Sequence, residues 1–346
     1  MNKKVIIYTQ AYNAESTLRR AVDSILAQDF CGMQPEYILV DNGSTDGTAA
    51  IIAEISRRYP WIHPLYMDVN MRISNTLLDM ALSRYQKDDY FISLDADDEY
   101  HPDFFRDVYR FMTEEQLDIA TCGVSLVSET GELQGVRQLP QDTTWARDNY
   151  PEGFIQFRRF FMELWGKIFR LPEIQKSIRA FHTTEVGVDW DYMVVLDALG
   201  RTKRIGVLSR SLHSYYSSPT QLSKVSCTEE DVQILPKKIR WLYHWLTQFG
   251  PISRLNEDYL AAIYLGWCEN LTGLLMNDAS LTNDKKTEQI HALLSLPETI
   301  SVLTRTGCDP QFRNLANRGA FLERIRTIVP DLGRALETVS DAHQRT

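Results

Sequence analysis

Cysteine is scarce in this chain and is not arranged for cross-linking or for zinc. Only five of the 346 residues are cysteines, they are widely spread, and no two of them form a CxxC pair. Disulfide scaffolds and structural zinc sites both depend on clustered cysteines, so the sequence argues against both classes. This usage is typical of a reducing compartment, and we predict a cytoplasmic location.

Long apolar runs and an excess of basic residues are also missing. No apolar stretch approaches the roughly eighteen residues that a membrane-spanning helix requires, so we predict at most a peripheral contact at the inner face of a membrane. The formal net charge of -9 argues against nucleic acid as a partner, because binding to a phosphate backbone needs a concentrated basic surface. An acidic protein can still bind a nucleotide through a cation.

Acidic side chains follow two apolar, strand-like runs of the sequence. The run over residues 90–94 is followed by Asp95, Asp97 and Asp98, and another run ends in Asp41. Clustered carboxylates repel one another unless water, a cation or a hydrogen-bonding ligand lies among them. Ligands of open α/β sheets bind beyond the carboxyl ends of the strands, so we expect Asp41 and Asp95 to face one small molecule.

The Asp-x-Asp spacing favours a divalent cation. A helix-loop-helix calcium site is excluded, because counting from Asp95 places Tyr100 where glycine is required and Arg106 where a bidentate glutamate is required. Asp98, taken alone, is more often a residue that caps a helix or closes a turn. Asp95 and Asp97 suit Mg²⁺ or Mn²⁺ held by few protein oxygens and completed by substrate phosphates.

The order of strand and helix signals predicts the organisation of the chain. They alternate over roughly the first hundred residues, which predicts a mostly parallel α/β sheet covered by helices on both faces. Further on, the pattern predicts a strand over 119–127, a turn-rich loop over 131–153 and an aromatic helix over 157–168. The remainder reads as helices, so we predict a catalytic domain of residues 1–227 and a helical C-terminal region of residues 228–346.

Four signatures occur in an order that is typical of one known family. They read VIIYTQAYNAE (5–15), LVDNGSTDGT (39–48), LDADDEYHPD (94–103), and the pair LWGKIFR (164–170) and VDWDY (188–192). Together they resemble the family 2 glycosyltransferases, which have the nucleotide-diphosphosugar transferase fold called GT-A. The resemblance spans about residues 5–225 and is specific as a set, although each signature alone is weak.

The chain departs from the pattern of that family at three positions. Gln10 stands where a proline is usual, and Val188 stands where a glutamate is usual. Ser74 stands where an arginine is expected, which leaves Arg72 as the available substitute.

The resemblance implies a donor site for a nucleotide diphosphosugar, most simply a UDP-sugar. Asp41 would accept a hydrogen bond from a uracil-type base, and Tyr12 would pack on the face of that base. The full set of residues implied to bind the nucleotide sugar is Thr9, Tyr12, Asn13, Glu15, Asp41, Arg72, Asp95 and Ala96.

The resemblance also implies a Mn²⁺ or Mg²⁺ cofactor. Asp97 would hold the cation, and Asp95 would help to hold it or would bind the ribose. The cation would act as a Lewis acid on the departing nucleoside diphosphate. His213 is a late metal ligand in some related folds, but a polar loop residue is the simpler interpretation here.

The family 2 glycosyltransferases, which this chain resembles, invert the anomeric centre by direct displacement. The resemblance therefore implies a carboxylate that removes the proton of the acceptor hydroxyl. We expect Asp189 to be this base, with Asp191 as the alternative. Trp165 and Lys167 would lie on the acceptor side.

The expected activity is metal-dependent, inverting transfer of a sugar to a hydroxyl of a glycan or lipid-linked glycan in surface polysaccharide synthesis. The rival hypothesis is a non-catalytic subunit that binds nucleotide sugars or assists assembly, and the residues at Val188 and Ser74 make it credible. A nucleotidyltransferase is less favoured, because the first strand is not followed by a Gly-rich, Lys-bearing phosphate loop. The C-terminal helical stripes are expected to pack within the chain, with a homodimer as the next choice.

Overall fold

The structure of the protein is a computed structural model that describes residues 3–71, 75–85, 88–181, 190–217 and 229–328. The chain forms two compact units, Met1–Ser218 and Pro219–Thr346. The predicted domain boundary between residues 227 and 228 lies outside the described residues.

The first unit contains one mixed sheet. Its described strands are β1 (Lys4–Ala11), β2 (Gln34–Asp41), β3 (Ile62–Tyr66), β4 (Tyr90–Ser93), β5 (Glu99–Tyr100), β6 (Ile119–Ser128), β7 (Leu133–Arg137), β8 (Thr143–Ala146), β9 (Lys167–Arg170) and β10 (Arg204–Ser217). The order is β3-β2-β1-β4-β9-β6-β10-β5, with β7 beside β6 and β8 beside β10. The run β3-β2-β1-β4 is parallel, so the carboxyl ends of these strands meet at one edge.

Helices flank this sheet. They are α1 (Leu18–Leu26), α2 (Thr48–Arg58), α3 (Asn75–Leu82), α4 (Phe104–Glu114), α5 (Tyr150–Phe157), α6 (Leu171–Ala180) and α7 (Trp190–Arg201), with short 3-10 helices at Arg147–Asn149 and Arg158–Phe160. The predicted apolar stripe of α1 is buried at Leu18, Ala21, Val22 and Ile25. The prediction of an α/β sheet flanked by helices is therefore confirmed.

Both faces of the parallel strands are buried. Val5 and Ile7 of β1 join the core formed with α1, α2 and α4, whereas Ile6 and Phe91 point to the other face, and all four side chains have no solvent exposure. Each fully buried aliphatic or aromatic side chain contributes about 1.5–3 kcal/mol of transfer free energy. This double-sided core makes the sheet a rigid base for the loops at its carboxyl edge.

Two predictions about the middle of the first unit were wrong. The segment 131–153 contains β7, β8 and the start of α5 instead of a loop, because β7 pairs with β6 and β8 pairs with β10. The predicted helix over 157–168 does not form: α5 ends at Phe157, and the chain continues as the 3-10 helix Arg158–Phe160 and later as β9. Gly166 adopts φ +70°, which lets the chain turn into β9, and the aromatic residues that suggested a helix are buried there all the same.

The second unit is helical, as predicted. Its described helices are α8 (Glu229–Thr247), α9 (Arg254–Asn277), α10 (Asn283–Leu294), α11 (Pro297–Thr304), α12 (Arg313–Ala316) and α13 (Arg318–Ile328). The apolar stripe of α9 is buried within the unit at Leu260, Tyr264 and Leu271. Within the described part of the chain, no helix is long and apolar enough to cross a membrane.

The turn after β2 is locked against the segment that follows β3. Gly43 adopts φ +75°, and a Cβ atom placed on it would lie 2.5 Å from the backbone carbon of Val69. The side chain of Asn42 bonds to both backbone groups of Met71, with Met71 N donating to its Oδ1 at 3.0 Å and its Nδ2 donating to Met71 O at 3.2 Å. Close approach of two backbones therefore requires glycine at position 43.

We predict that Gly43→Ala destabilises the protein more than Gly32→Ala does. Both glycines have φ +75°, but a Cβ on Gly32 would meet no atom within 4 Å. The left-handed conformation alone should cost about 1 kcal/mol in each variant, and the clash with Val69 should add about 2 kcal/mol at position 43. Urea unfolding of both variants tests this, and equal free energies of unfolding would contradict it.

Candidate active site

The loop after β4 gathers three carboxylates at the carboxyl edge of the sheet. Their ligand oxygens, from Asp95, Asp97 and Asp98, all lie within 4.8 Å of one another. The amide of Asp98 donates to the carbonyl of Asp95 at 3.2 Å and closes the turn. Three anionic groups at this separation repel strongly unless protons or a cation offset them, so the arrangement fits a divalent cation.

The environment of this loop raises the pKa values of Asp95 and Asp98. Loss of solvation raises the pKa of Asp95 well above its usual value, and the Asp98 and Asp97 carboxylates raise it further. Asp95 is an exposed residue by its solvent-accessible area, so an incoming cation can reach it. A cation bound there would favour the ionised carboxylates and remove this shift.

Asp98 is an anchor between the loop and β10. Its side chain has no solvent exposure, its Oδ2 lies 3.0 Å from His213 Nε2, and its Oδ1 accepts from Tyr216 N at 2.9 Å. Both oxygens of Asp98 are thus occupied by β10. This leaves Asp95 and Asp97 as the pair best placed to hold a cation.

His213 lies inside the sheet, although a polar loop residue was expected at this position. It is on β10 opposite Tyr100, and its ring meets Trp165 edge-on at 4.3 Å between centroids. Burial lowers the pKa of His213 to about 3, and the nearby Lys167 and Arg137 charges contribute. A neutral imidazole therefore bonds to Asp98.

The predicted base-binding residues meet at the same edge of the sheet. Asp41 ends β2 beside Ala11 of β1, and its Oδ1 accepts from Ser44 N at 3.1 Å. Tyr12 follows β1 directly and is 44% exposed. The structure therefore brings an acid and an accessible aromatic ring close to the loop that carries Asp95.

Asn13 and Glu15 join the two loops that surround this base site. Asn13 Oδ1 accepts from Thr45 N at 2.8 Å, and Glu15 Oε2 accepts from Gly47 N at 2.9 Å. The loop before α1 is thereby tied to the loop before α2. These two side chains, predicted to contact the nucleotide sugar, bind protein groups in this structure.

The other predicted donor residues differ in accessibility. Thr9 has no solvent exposure, and its hydroxyl donates to Leu94 O at 2.8 Å. Ala96 lies within the acidic loop and is 8% exposed. Arg72 lies outside the described residues, as do Ser74 and Val188.

The predicted acceptor-side residues Trp165 and Lys167 are almost completely buried. Lys167 Nζ donates to the carbonyl of Trp165 at 2.9 Å and lies 5.5 Å from the centre of the Trp165 ring. Burial lowers the pKa of Lys167 to about 8, against the raising effect of the nearby Glu163 carboxylate. This amine is therefore a buried cation close to the acidic side chains.

Asp191 stands in the first turn of α7, where its Oδ1 accepts from Tyr192 N at 2.8 Å. Burial raises the pKa of Asp191 to about 7, the hydrogen bond from Tyr192 N lowers it, and the Glu163 carboxylate raises it. The preferred base, Asp189, lies outside the described residues.

Glu163 was missed by the sequence interpretation. Its Oε1 lies 3.4 Å from Arg137 Nη1, and its charge raises the pKa values of both Asp95 and Asp191. Glu163 directly precedes the signature over 164–170. This neighbouring position is the one feature of the sequence that could have indicated a place near the site.

Comparison with known proteins identifies the class of this site. The sequence profile described as glycosyl transferase family 2 matches residues 6–172. An uncharacterised glycosyltransferase of Escherichia coli, YibD, is 23% identical over 280 residues, which cover 76% of this chain and 74% of YibD. A Bacillus subtilis protein described as a putative teichuronic acid biosynthesis glycosyltransferase, TuaG, is 31% identical over 130 residues, covering 37% of this chain and 49% of TuaG.

Among solved structures, S. aureus TarS has the same fold. It superposes with a TM-score of 0.62 at 16% identity, over 97% of this chain and 55% of TarS. A TarS fragment in complex with UDP-GlcNAc also matches, with a TM-score of 0.51 at 18% identity over 100% of this chain and 92% of the fragment. Over residues 6–172 this chain is similar to glycosyl transferase family 2. It is a glycosyltransferase with the GT-A fold, and it spans about half of TuaG and of full-length TarS.

We predict that the buried amine of Lys167 makes stability rise with pH in the alkaline range. Its pKa in the folded state is about 8, below the usual 10.5, so the unfolded state binds more protons between these values. Relative to Lys167→Met, the wild type should gain up to about 3 kcal/mol of unfolding free energy between pH 8 and pH 10.5. Urea unfolding at several pH values measures this gain. The exposed Lys203→Met is the control, and parallel curves for wild type and Lys167→Met would refute the prediction.

Proposed function

We propose that this protein is an inverting, divalent-metal-dependent glycosyltransferase that moves a sugar from a UDP-sugar to a hydroxyl of a glycan or lipid-linked glycan. The observation that carries the proposal is the common edge of the sheet, where Asp41 and Tyr12 lie beside the loop of Asp95 and Asp97. This edge offers a base site next to a site for a diphosphate and its cation.

The nucleoside end of the donor is assigned to Asp41 and Tyr12. One oxygen of Asp41 is held by Ser44 N, and its carboxylate can also accept from the imide N–H of a uracil-type base. The exposed ring of Tyr12 offers a stacking surface for that base. The complex of TarS with UDP-GlcNAc, on the same fold, supports a UDP-sugar as the donor.

The diphosphate end is assigned to Asp95 and Asp97, which would hold Mn²⁺ or Mg²⁺. The separation of the acidic oxygens and the raised pKa of Asp95 both suit a bound cation. When bound, the ion supplies Lewis-acid stabilisation of the negative charge on the leaving nucleoside diphosphate. Asp98 keeps the loop in place through β10.

The acceptor proton is assigned to Asp189, with Asp191 as the alternative. A general base works best when its pKa lies near the working pH, and the pKa of about 7 at Asp191 meets this condition. Asp189 remains our first assignment, because it aligns with the acidic position of the family signature.

The proposed acceptor class is supported by a relative of this chain. TuaG is described as a protein of teichuronic acid biosynthesis, which supports a hydroxyl of a surface polysaccharide as the acceptor. The rival function, a non-catalytic subunit that binds nucleotide sugars, would keep Asp41 and lose transfer. Asp95 and Asp97 are accessible acids that suit a divalent cation, and this favours the enzyme.

We predict that Asp97→Ala abolishes transfer and the metal-dependent part of UDP binding, because it removes an anionic ligand from a cation held by few protein oxygens. The measurement is the affinity for UDP and UDP-GlcNAc with and without Mn²⁺, together with release of UDP. The exposed Asp88→Ala is the control and should behave as wild type. If Mn²⁺ has the same effect on UDP affinity in Asp97→Ala as in the wild type, the metal assignment is wrong. A wild type that binds the donor without releasing UDP would favour the rival function.

A second prediction separates the two candidate bases. Asp189→Asn should keep donor affinity and lower the transfer rate by at least about a hundredfold, the usual scale for loss of a general base. Asp191→Asn should lower it much less. Calorimetric donor binding and the rate of UDP release with acceptor measure the two effects. The reverse pattern would show that Asp191 is the base.

A further inference from the structure

Arg20 connects helix α1 to the acidic loop and to β10. Its guanidinium donates a hydrogen bond to the backbone carbonyl of Asp97. The same group lies 3.5 Å over the centre of the Tyr216 ring. Its Nε is 3.8 Å from the carboxylate of Glu99. One side chain therefore contacts the metal-binding loop, the residue that follows it and the end of the last strand.

The chemistry of these contacts requires arginine. A planar guanidinium stacks on an aromatic ring with its face while its edge donates to a carbonyl oxygen. A lysine ammonium has the same charge but no plane, so it cannot make both contacts in this way. The Arg20 side chain is 32% exposed, so most of it is shielded from solvent and its bond to Asp97 is only partly screened.

The turn that carries the acids is fixed at three points. The amide of Asp98 bonds to Asp95 O, and the carboxylate of Asp98 bonds to β10. The third point is the carbonyl of Asp97, which accepts from Arg20. That carbonyl belongs to the peptide group between Asp97 and Asp98, so its bond to Arg20 restricts the backbone conformation of Asp97 and thereby the position from which the Asp97 side chain starts.

We propose that Arg20 is a positioning residue for the divalent cation, acting through the backbone of Asp97 without touching the donor. The inference rests on the proposed function, because it presupposes that Asp97 holds the cation. Arg20 keeps the Asp97 carboxylate within reach of Asp95, so that the two acids present one site before the ion arrives. The expected effect of losing Arg20 is weaker cation binding with an intact nucleoside site.

A purely electrostatic role makes a different prediction. Arg20 also brings a positive charge close to the acids, and this charge lowers the pKa of Asp98, which burial and Asp97 otherwise raise. If charge alone mattered, Arg20→Lys would behave as wild type. Positioning requires that Arg20→Lys be impaired and that Arg20→Gln, which keeps a planar donor without charge, be impaired as well.

The experiment measures UDP affinity by calorimetry with and without Mn²⁺ for wild type, Arg20→Lys and Arg20→Gln. The expected result is a fall of about tenfold in the enhancement by Mn²⁺, the usual scale for losing a partner that orients a metal ligand. Metal-free UDP affinity should stay within about twofold of wild type, because the base site is untouched. A higher Mn²⁺ concentration should restore UDP affinity in both variants.

Arg19→Lys and Arg19→Gln are the matched controls. Arg19 is the preceding residue of α1 and pairs with the exposed Glu54. These controls should retain the full enhancement. Melting temperatures of all variants identify a variant that fails to fold, and the other substitution at position 20 then decides.

Three outcomes overturn the inference. The first is an unchanged enhancement in the Arg20 variants, and the second is a wild-type response of Arg20→Lys alone. The third is an equal loss of UDP affinity with and without Mn²⁺, which would place Arg20 in the nucleotide site or the fold. A wild type without any enhancement by Mn²⁺ would instead refute the proposed metal site itself, and the inference with it.

Discussion

The hydrogen bonds between Asp98 and β10 are the interaction on which the acidic loop depends. A turn with three carboxylates is unfavourable by itself, because each ionised group raises the cost of ionising the next. Two groups of β10, His213 Nε2 and Tyr216 N, each form a hydrogen bond with one oxygen of the Asp98 carboxyl group. The last strand of the first unit thus holds the loop that follows β4.

Asp191 and Glu163 are linked electrostatically to this loop. The charges of Asp191 and Glu163 contribute to the raised pKa of Asp95, after burial and the acids of its own loop. A cation near Asp95 would therefore lower the pKa of Asp191 as well, because the coupling between two charges acts in both directions. In the proposed reaction, loading the metal would prepare a carboxylate base for its proton.

The parts of the fold with strong periodicity could be read from the sequence. The stripe of α1 and the strand β4, which leads into the loop of Asp95, follow directly from the spacing of apolar residues. The helix predicted over 157–168 failed, because buried aromatic residues at short intervals also suit a 3-10 turn followed by a strand. In residues 157–168 the spacing of apolar residues predicts which side chains are buried, but it does not predict the backbone conformation.

The parts of the site that depend on contacts between residues far apart in the chain could not be predicted from the sequence. Asp98 and His213 are 115 positions apart in the chain, so no local pattern predicts their bond. Thr9 stands in a family signature, but its burial follows from the sheet that surrounds it. Glu163 belongs to no signature, and its proximity to Asp95 follows only from the packing of the segment that leads into β9.

The bonds of Asn13 and Glu15 have a consequence for the energetics of ligand binding. These side chains accept hydrogen bonds from backbone amides of the opposite loop, so contacts within the protein hold the two loops around Asp41 together. Flexible loops would lose conformational entropy when a nucleoside ordered them, at about 1–2 kcal/mol for each residue fixed. Here that entropy is lost when the chain folds, so under the proposed function the base would enter a preorganised site and its affinity would not be reduced by loop ordering.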